Sequence, residues 1–148
     1  MCPATNLRGL FLKLDRKSSG FRLEIAIHQA DVNLVNLPET ISSLEAASLG
    51  CRFATAFRAI FDQGQLNSGE SIAIFGCGGV GLSAILIAKA LEARVIAVDI
   101  SPESLQKAKS LGADEVVNAT EVRDVSQIIR ELTGGGVHVS VDALGSLT

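Results

Sequence analysis

The fold is decided by one stretch, residues 71–99, which reads SIAIFGCGGVGLSAILIAKALEARVIAVD. Its apolar start suits a buried strand, and a cluster of four glycines follows within the next six residues. The pattern predicts a strand over Ile72–Phe75, a tight turn, a helix over Leu82–Leu91 and a second strand over Arg94–Val98 that ends at Asp99. The stretch therefore indicates a strand–turn–helix–strand unit with a carboxylate at its far end.

The glycine-rich turn has the pattern G-x-G-x-x-G, which suits a bound dinucleotide in this setting. Gly76 allows the sharp turn out of the strand, Gly78 lets the backbone approach a pyrophosphate, and Gly81 lets the helix pack close to the sheet. The free N–H groups at the start of the helix favour phosphate. Asp99, 18 residues after Gly81, can accept hydrogen bonds from both ribose hydroxyls of an adenosine. The predicted contacts also include two neighbours of these residues, Gly79 and Ile100.

Three other interpretations of this stretch remain open. A glycine-rich turn also occurs in α/β proteins that bind no dinucleotide, and S-adenosylmethionine sites have a looser glycine pattern with an acidic second strand. Residues 71–88 carry no charge and are long enough to be a candidate membrane span. The clustered glycines would weaken such a helix, and a parallel strand buried on both faces explains the apolarity better.

The composition limits the classes of function. The chain has 148 residues, the length of one domain, and 47% of them are apolar. Its net charge is −3 and it has no basic run, so nothing favours a nucleic acid or a membrane surface as partner. Three scattered cysteines are too few for a disulfide framework, which indicates a reducing compartment. No secretory signal is evident at the N-terminus, so we expect a cytoplasmic protein.

The segments on both sides of the central stretch extend the same pattern. Residues that alternate between apolar and polar predict a half-buried strand over Phe21–Ile27, and Ser42 with Glu45 predicts a capping box at the start of a helix. That helix is expected to reach about Gly50 and to continue or restart through Cys51–Phe61. After Asp99 the chain predicts a helix from Ser101 and Pro102 to Gly112, a strand over Glu115–Val117, a helix from Asp124 or Ser126 to Leu132, and a strand over Val137–Val141.

Alternating strands and helices predict an α/β fold, a doubly wound parallel sheet of the Rossmann-like type with strand order 3-2-1-4. A complete fold of this class has about six strands, whereas this chain stops at Thr148 after its fourth. We therefore expect a piece of a larger enzyme, with residues 1–37 as the remnant of another domain and residues 38–148 as an incomplete dinucleotide-binding domain. The fourth strand would then leave a long apolar edge through which two copies could pair.

The chain resembles the cofactor domain of the zinc-type medium-chain alcohol dehydrogenase family from about Phe21 onward. The resemblance is carried by LPETISSLEAASLGCRFATAF, by GESIAIFGCGGVGLSAILIAKALEARVIAVDIS, and by KAKSLGADEVVN and VDALG. It implies an oxidoreductase that transfers a hydride between NAD and a small-molecule alcohol or aldehyde, with a zinc ion that polarises the substrate oxygen. Asp99 matches the acid that binds ribose in this family, and a carboxylate there would repel the 2′-phosphate of NADP.

The resemblance also implies roles for three further residues. Cys51 falls on the cysteine that serves as one of three protein ligands of the catalytic zinc, and zinc does bind thiolates. Thr55 and Val80 fall where the family lines the nicotinamide. The other two zinc ligands have no counterpart, because Cys2 and His28 lack the family's surroundings. The zinc site is therefore expected to be incomplete, with no complete catalytic set in this chain. The alternative is a non-catalytic module that binds a dinucleotide or associates with itself.

Four other residues have less specific patterns. Arg52 suits either a phosphate contact or a surface ion pair with Glu45 or Asp62, and the sequence does not choose between these. Cys77 is most simply a small filler residue, and His138 a satisfied, partly buried histidine. Asp142 suits either the orientation of a turn over the cofactor or a hydrogen bond to backbone at a strand end.

Overall fold

The computed structural model of the protein describes residues 35–145. The chain divides into two units, one that ends at Ser48 and one that starts at Leu49, and each is described by itself. In the first unit, Ser43–Ser48 forms a short helix, α1. Ser42 and Glu45 form the predicted capping box: the Ser42 N–H donates to Oε2 of Glu45 at 2.8 Å, and the Glu45 N–H donates to Oγ of Ser42 at 3.3 Å. The strand predicted over Phe21–Ile27 lies outside the described residues, and the domain boundary after residue 37 stays a prediction.

The second unit contains four strands and four helices among residues 49–145. Its elements, in chain order, are α2 (Cys51–Phe57), which continues as a π-helical segment (Arg58–Gln63), β1 (Ser71–Phe75), α3 (Gly79–Ala90), β2 (Arg94–Asp99), α4 (Pro102–Ser110), β3 (Glu115–Asn118), α5 (Val125–Thr133) and β4 (Val139–Asp142). All strand pairs are parallel and the order in the sheet is β3-β2-β1-β4. The predicted α/β fold and its 3-2-1-4 strand order are therefore confirmed.

The sheet is buried on both faces around β1. Ile72 of β1 lies beside Val95 of β2 on one side and Val139 of β4 on the other. Ile72 and Ile74 belong to a core cluster with α2, α3 and α4, whereas Ala73 belongs to a second cluster with α5. Successive residues of a strand point to opposite faces, so this division requires helices on both sides of the sheet.

This burial explains why residues 71–88 are apolar. The stretch divides into β1 and most of α3, which pack against each other within one core cluster. Among the described residues, no helix has both the length and the apolar character that crossing a bilayer requires. Helix α3 has only 12 residues.

Two predicted element starts are wrong by two residues or more. Helix α3 begins at Gly79 rather than Leu82, because the small residues of the turn already take helical geometry and the Leu82 N–H donates to the Gly78 carbonyl at 2.8 Å. Strand β4 begins at Val139 rather than Val137, because three glycines with positive φ precede it and pairing with β1 starts at Val139. The edge strand therefore has four residues that alternate between half-buried and exposed, not the long apolar edge expected.

Candidate functional site

The glycine-rich turn lies where β1 ends, beside the end of β2. Gly76 has a φ of +92°, which side-chain-bearing residues rarely adopt. Its N–H donates to the Val98 carbonyl at 2.8 Å and so prolongs the pairing of the two strands. A Cβ on Gly76 would lie 2.8 Å from Cγ of Leu144. Backbone conformation and space therefore both require glycine here.

Two other glycines of the turn differ in the space that a side chain would find beside them. A Cβ on Gly81 would collide with the carbonyl oxygen of Gly76, so helix α3 lies directly against the start of the turn. A Cβ on Gly78 would meet nothing within 4 Å, and Gly78 is exposed at the start of the same helix. Gly81 is thus explained by packing alone. Packing does not explain why residue 78 is glycine, because the space beside it is open.

Asp99 fixes the turn from the end of β2. Its Oδ2 accepts the Cys77 N–H at 2.6 Å, and its Oδ1 accepts the Ser101 N–H at 2.8 Å. Each carboxylate oxygen can accept a second hydrogen bond, so hydroxyl groups of a ligand still have acceptors here. The sequence predicted an acidic residue for a ligand but not its bond to the turn, because that bond depends on the register of β1 and β2.

Among residues 35–145, no side chain satisfies the first N–H groups of α3. Its N-cap, Gly78, has no side chain, and its first turn carries no acidic residue. Helices α4 and α5, by contrast, are capped by the side chains of Ser101 and Asp124. The free N–H groups and the partial positive charge of α3 therefore face the open space at Gly78, which is an arrangement suited to an anion.

The remaining predicted cofactor contacts differ in how exposed they are. Gly79 and Val80 are the first two residues of α3, and Val80 is half-buried against the core cluster. Ile100 follows β2 and is 65% exposed. Thr55 lies exposed on α2. The structure thus brings Gly79 and Val80 into the turn itself, whereas Thr55 and Ile100 have side chains open to a ligand.

Cys51, the predicted zinc ligand, is the first residue of α2 and is exposed with a free thiol. Across residues 35–145, no group of three His, Cys, Asp or Glu side chains is arranged to hold a metal ion. Cys2 and His28 lie outside the described residues. The described residues therefore supply one candidate ligand, the Cys51 side chain, and do not form a zinc site by themselves.

Cys77 lies within the turn but is only 2% exposed. Its Sγ is 3.8 Å from the Val98 carbonyl oxygen. Burial, together with the nearby charge of Asp99, raises the pKa of the Cys77 thiol from 9.0 to about 11. The side chain is a neutral, buried thiol at physiological pH, which fits the interpretation as a filler residue.

His138 and Asp142 both have backbone partners. Nδ1 of His138 accepts the Ser71 N–H at 3.1 Å and lies 3.0 Å from Oγ of Ser71, at the end of β1 opposite the glycine-rich turn. Oδ1 of Asp142 accepts the N–H groups of Leu144 and Gly145 at 2.9 and 3.3 Å. His138 is therefore a satisfied histidine, and Asp142 stabilises the turn after β4 through backbone hydrogen bonds.

Known proteins are similar to this chain in sequence. Residues 79–148 match the family of zinc-binding dehydrogenases. Over 117 residues the chain is 38% identical to alcohol dehydrogenase class-2 isozyme 2 of Oryctolagus cuniculus, an alignment that covers 78% of this chain and 31% of that protein.

Solved structures agree with these matches. Alcohol dehydrogenase TADH from Thermus sp. ATN1 superposes with a TM-score of 0.69 at 37% identity, over 74% of this chain and 32% of that one. For 2R,3R-butanediol dehydrogenase from Bacillus subtilis the TM-score is 0.67 at 40% identity, over 74% of this chain and 31% of that one. The chain therefore spans about a third of the length of these relatives. Its homologues are zinc-type alcohol dehydrogenases, and residues 79–148 match the zinc-binding dehydrogenase domain, so the chain corresponds to part of such an enzyme.

Proposed function

We propose that this chain holds the adenosine and pyrophosphate of NAD for a zinc-dependent oxidoreductase of the alcohol dehydrogenase type. The observation that carries the proposal is the contrast between Gly81 and Gly78. Packing of α3 against the turn requires Gly81, whereas Gly78 leaves open space directly at the uncapped N-terminus of that helix. A pyrophosphate is an anion of a size that can use this space and accept the free N–H groups.

Asp99 is proposed to bind the adenosine ribose. Its two oxygens are already oriented by the N–H groups of Cys77 and Ser101, so the carboxylate is held in one position before a ligand arrives. The remaining acceptor sites suit the two ribose hydroxyls. A 2′-phosphate would bring negative charge beside this carboxylate, and we therefore propose NAD rather than NADP as the cofactor.

The rest of the reaction requires groups beyond the described residues. Bound NAD would supply the nicotinamide that exchanges a hydride with a small alcohol or aldehyde. Thr55 and Val80 are proposed to lie near that ring, Ile100 near the adenosine, and Cys51 to be one zinc ligand of the whole enzyme. We expect no alcohol oxidation by this chain alone, because the resemblance gives only one of the three zinc ligands, Cys51, a counterpart in its sequence. Three scattered cysteines, too few for a disulfide framework, support the proposal of a reducing, cytoplasmic setting.

Calorimetry with NAD tests the proposed ribose contact. Asp99→Ala should weaken NAD binding about tenfold to a hundredfold, since a hydrogen bond to a charged group contributes about 1.5–3 kcal/mol. Asp62→Ala removes the same charge from an exposed position on the π-helical segment and should leave the affinity unchanged. Absence of NAD binding by the wild-type chain would refute the proposed function.

Asp99 also holds the turn, so a second ligand is needed to interpret the loss. An NAD analogue without the adenosine 2′-hydroxyl separates the two roles of the carboxylate. If Asp99 binds this hydroxyl, Asp99→Ala should weaken the analogue much less than NAD. An equal loss for both ligands would assign the effect to the turn and would contradict the ribose contact.

A further inference from the structure

Arg52 lies over the first residue of helix α3. It is the second residue of α2, and its side chain occupies the space beside Gly79. A Cβ on Gly79 would collide with Cδ of Arg52 and would lie 3.0 Å from Nε and 3.1 Å from Nη1. Two segments that are far apart in sequence thus bring a guanidinium group to the glycine-rich turn.

The surface ion pair considered from the sequence does not form with Asp62. Asp62 instead faces Arg58, whose Nε lies 3.8 Å from Oδ2 of Asp62. The carboxylate of Glu45 accepts hydrogen bonds from the backbone and the hydroxyl of Ser42. Within the second unit, as far as it is described (residues 49–145), no carboxylate lies within 4.0 Å of the Arg52 guanidinium.

The position of this cation is electrostatically unfavourable without an anion. The N-terminus of α3 carries a partial positive charge, and a cation placed there is repelled. The first turn of α3 has no acidic residue, and the N-cap has no side chain. An anion that contacts both the helix N-terminus and the guanidinium would relieve this repulsion, and the space at Gly78, next to Gly79, is open.

We propose that Arg52 is a further cofactor-binding residue, which contacts the pyrophosphate of the dinucleotide from the α2 side. The inference rests on the proposed dinucleotide site and adds to it a charged side chain. Arginine suits this position because its planar guanidinium presents several N–H donors at fixed angles and binds phosphate oxygens in pairs. The contact would also favour a pyrophosphate over an uncharged ligand at the same turn.

The test compares Arg52→Gln with Arg58→Gln in the full 148-residue chain. Glutamine keeps much of the length of the arginine but removes its charge. Arg58 lies on the π-helical segment that continues α2, pairs with Asp62 and is exposed, so its substitution is the matched control. Binding of ADP-ribose, which contains the pyrophosphate, is measured by calorimetry, and binding of adenosine, which lacks it, by NMR titration.

We expect Arg52→Gln to weaken ADP-ribose binding about tenfold or more, the loss of one charge-assisted hydrogen bond. Adenosine binding should stay unchanged, and Arg58→Gln should resemble the wild type with both ligands. The ADP-ribose affinity of the wild type should also fall more steeply with salt than that of Arg52→Gln. Arg52→Lys should recover part of the affinity, because it restores the charge without the planar group.

Two outcomes would overturn the role of Arg52. Wild-type ADP-ribose affinity in Arg52→Gln would show that the guanidinium does not contact the phosphates. An equal loss for adenosine and ADP-ribose would show that Arg52 acts on the shape of the site. In either case, weaker NAD binding by Asp99→Ala would leave the proposed dinucleotide site standing. Absence of ADP-ribose binding by the wild type would remove both proposals.

Discussion

Substitution of Gly78 by alanine should separate ligand binding from folding. Gly78 has φ −82° and ψ −163°, an extended conformation that alanine adopts without strain. Its added Cβ would meet no protein atom within 4 Å. The methyl group would, however, occupy the open space at the N-terminus of α3, where we place the pyrophosphate.

The effect of Gly78→Ala on stability is the sum of two small contributions. Replacement of glycine in a compatible conformation stabilises a protein by about 0.4–1 kcal/mol, because the unfolded chain loses freedom. Alanine is a poorer N-cap than glycine, which costs about 0.5–1 kcal/mol. The two nearly cancel, so we expect the free energy of unfolding to change by no more than about 0.5 kcal/mol.

The same substitution should weaken binding strongly. A methyl group between the backbone N–H donors and the phosphate oxygens would break at least one charge-assisted hydrogen bond. Each such bond contributes about 1.5–3 kcal/mol, so the affinity for ADP-ribose should fall about tenfold to more than a hundredfold. Gly78→Ala is thus expected to bind poorly while it unfolds like the wild type.

Gly81→Ala is the matched comparison, because it adds the same methyl group three residues later. Its Cβ would collide with the Gly76 carbonyl oxygen, which belongs to backbone and cannot rotate away. Helix α3 would have to move off the turn, and overpacking of this kind costs about 1–3 kcal/mol or more. Gly81→Ala should therefore lower both stability and affinity.

Urea denaturation and calorimetry on the two variants provide the decisive measurements. Unchanged ADP-ribose affinity in a stably folded Gly78→Ala would refute the assignment of the open space to the pyrophosphate. Wild-type stability in Gly81→Ala would refute the close contact between α3 and the turn. The two results are independent, since the first concerns the ligand and the second the fold.

Two further predictions concern ionisable groups of the same unit. Folding raises the pKa of Cys77 from 9.0 to about 11, so the unfolded chain loses this proton first and the free energy of unfolding should fall between pH 9 and 11. Cys77→Ala should remove up to about 2–3 kcal/mol of that fall, measured by urea denaturation across this range, and an identical pH profile would contradict the buried thiol. Burial alone would raise the pKa of Asp114, but the Val95 N–H at 2.7 Å and Lys89 Nζ at 2.9 Å lower it below 3.8. The stabilisation that Asp114 provides should therefore be present above pH 3.8 and lost as the pH falls through the lowered pKa. Asp114→Ala should lower the free energy of unfolding by about 1 kcal/mol at neutral pH and by almost nothing in acid. An equal cost at both pH values would contradict the ion pair.

Local sequence patterns were sufficient to predict most of the fold. Ser101 followed by Pro102 predicted the start of α4, and the Ser101 side chain does accept the Ser104 N–H at 3.3 Å. The apolar run of β1 predicted burial on both faces, which followed from its central place in the sheet. These features depend on residues within one turn or one strand, which is why sequence alone can indicate them.

The wrong boundaries arose where tertiary contacts, and not the local sequence, determine the residue at which an element begins. Glycines usually weaken helices, so a helix start at Leu82 was the local expectation. Contact between Gly81 and the Gly76 carbonyl instead makes glycine the one residue that fits the third position of α3. The start of β4 was likewise set by its pairing with β1 at Val139, which no local pattern indicates.

The same distinction between local patterns and tertiary contacts applies to the candidate site. The glycines and Asp99 belong to one continuous stretch, so their spacing predicted a site. The bond between Asp99 and the Cys77 N–H, and the approach of Arg52 to Gly79, join segments separated by 22 and 27 residues. Such contacts require the register of β1 and β2 and the placement of α2, neither of which the sequence specifies by pattern.

Helix α2 carries one residue of the proposed zinc site and one residue of the proposed cofactor site. Cys51, the proposed zinc ligand, and Arg52, the proposed pyrophosphate contact, are consecutive residues at its N-terminus. Consecutive helical residues point about 100° apart, so one helix end can direct a thiolate to one side and a guanidinium to another. Because Ala56 and Ile60 anchor this helix and its π-helical continuation in the core, a shift of α2 would displace both groups together. The distance between the cofactor phosphates and the metal would then be set by how α2 packs on α3, not by the glycine-rich turn alone.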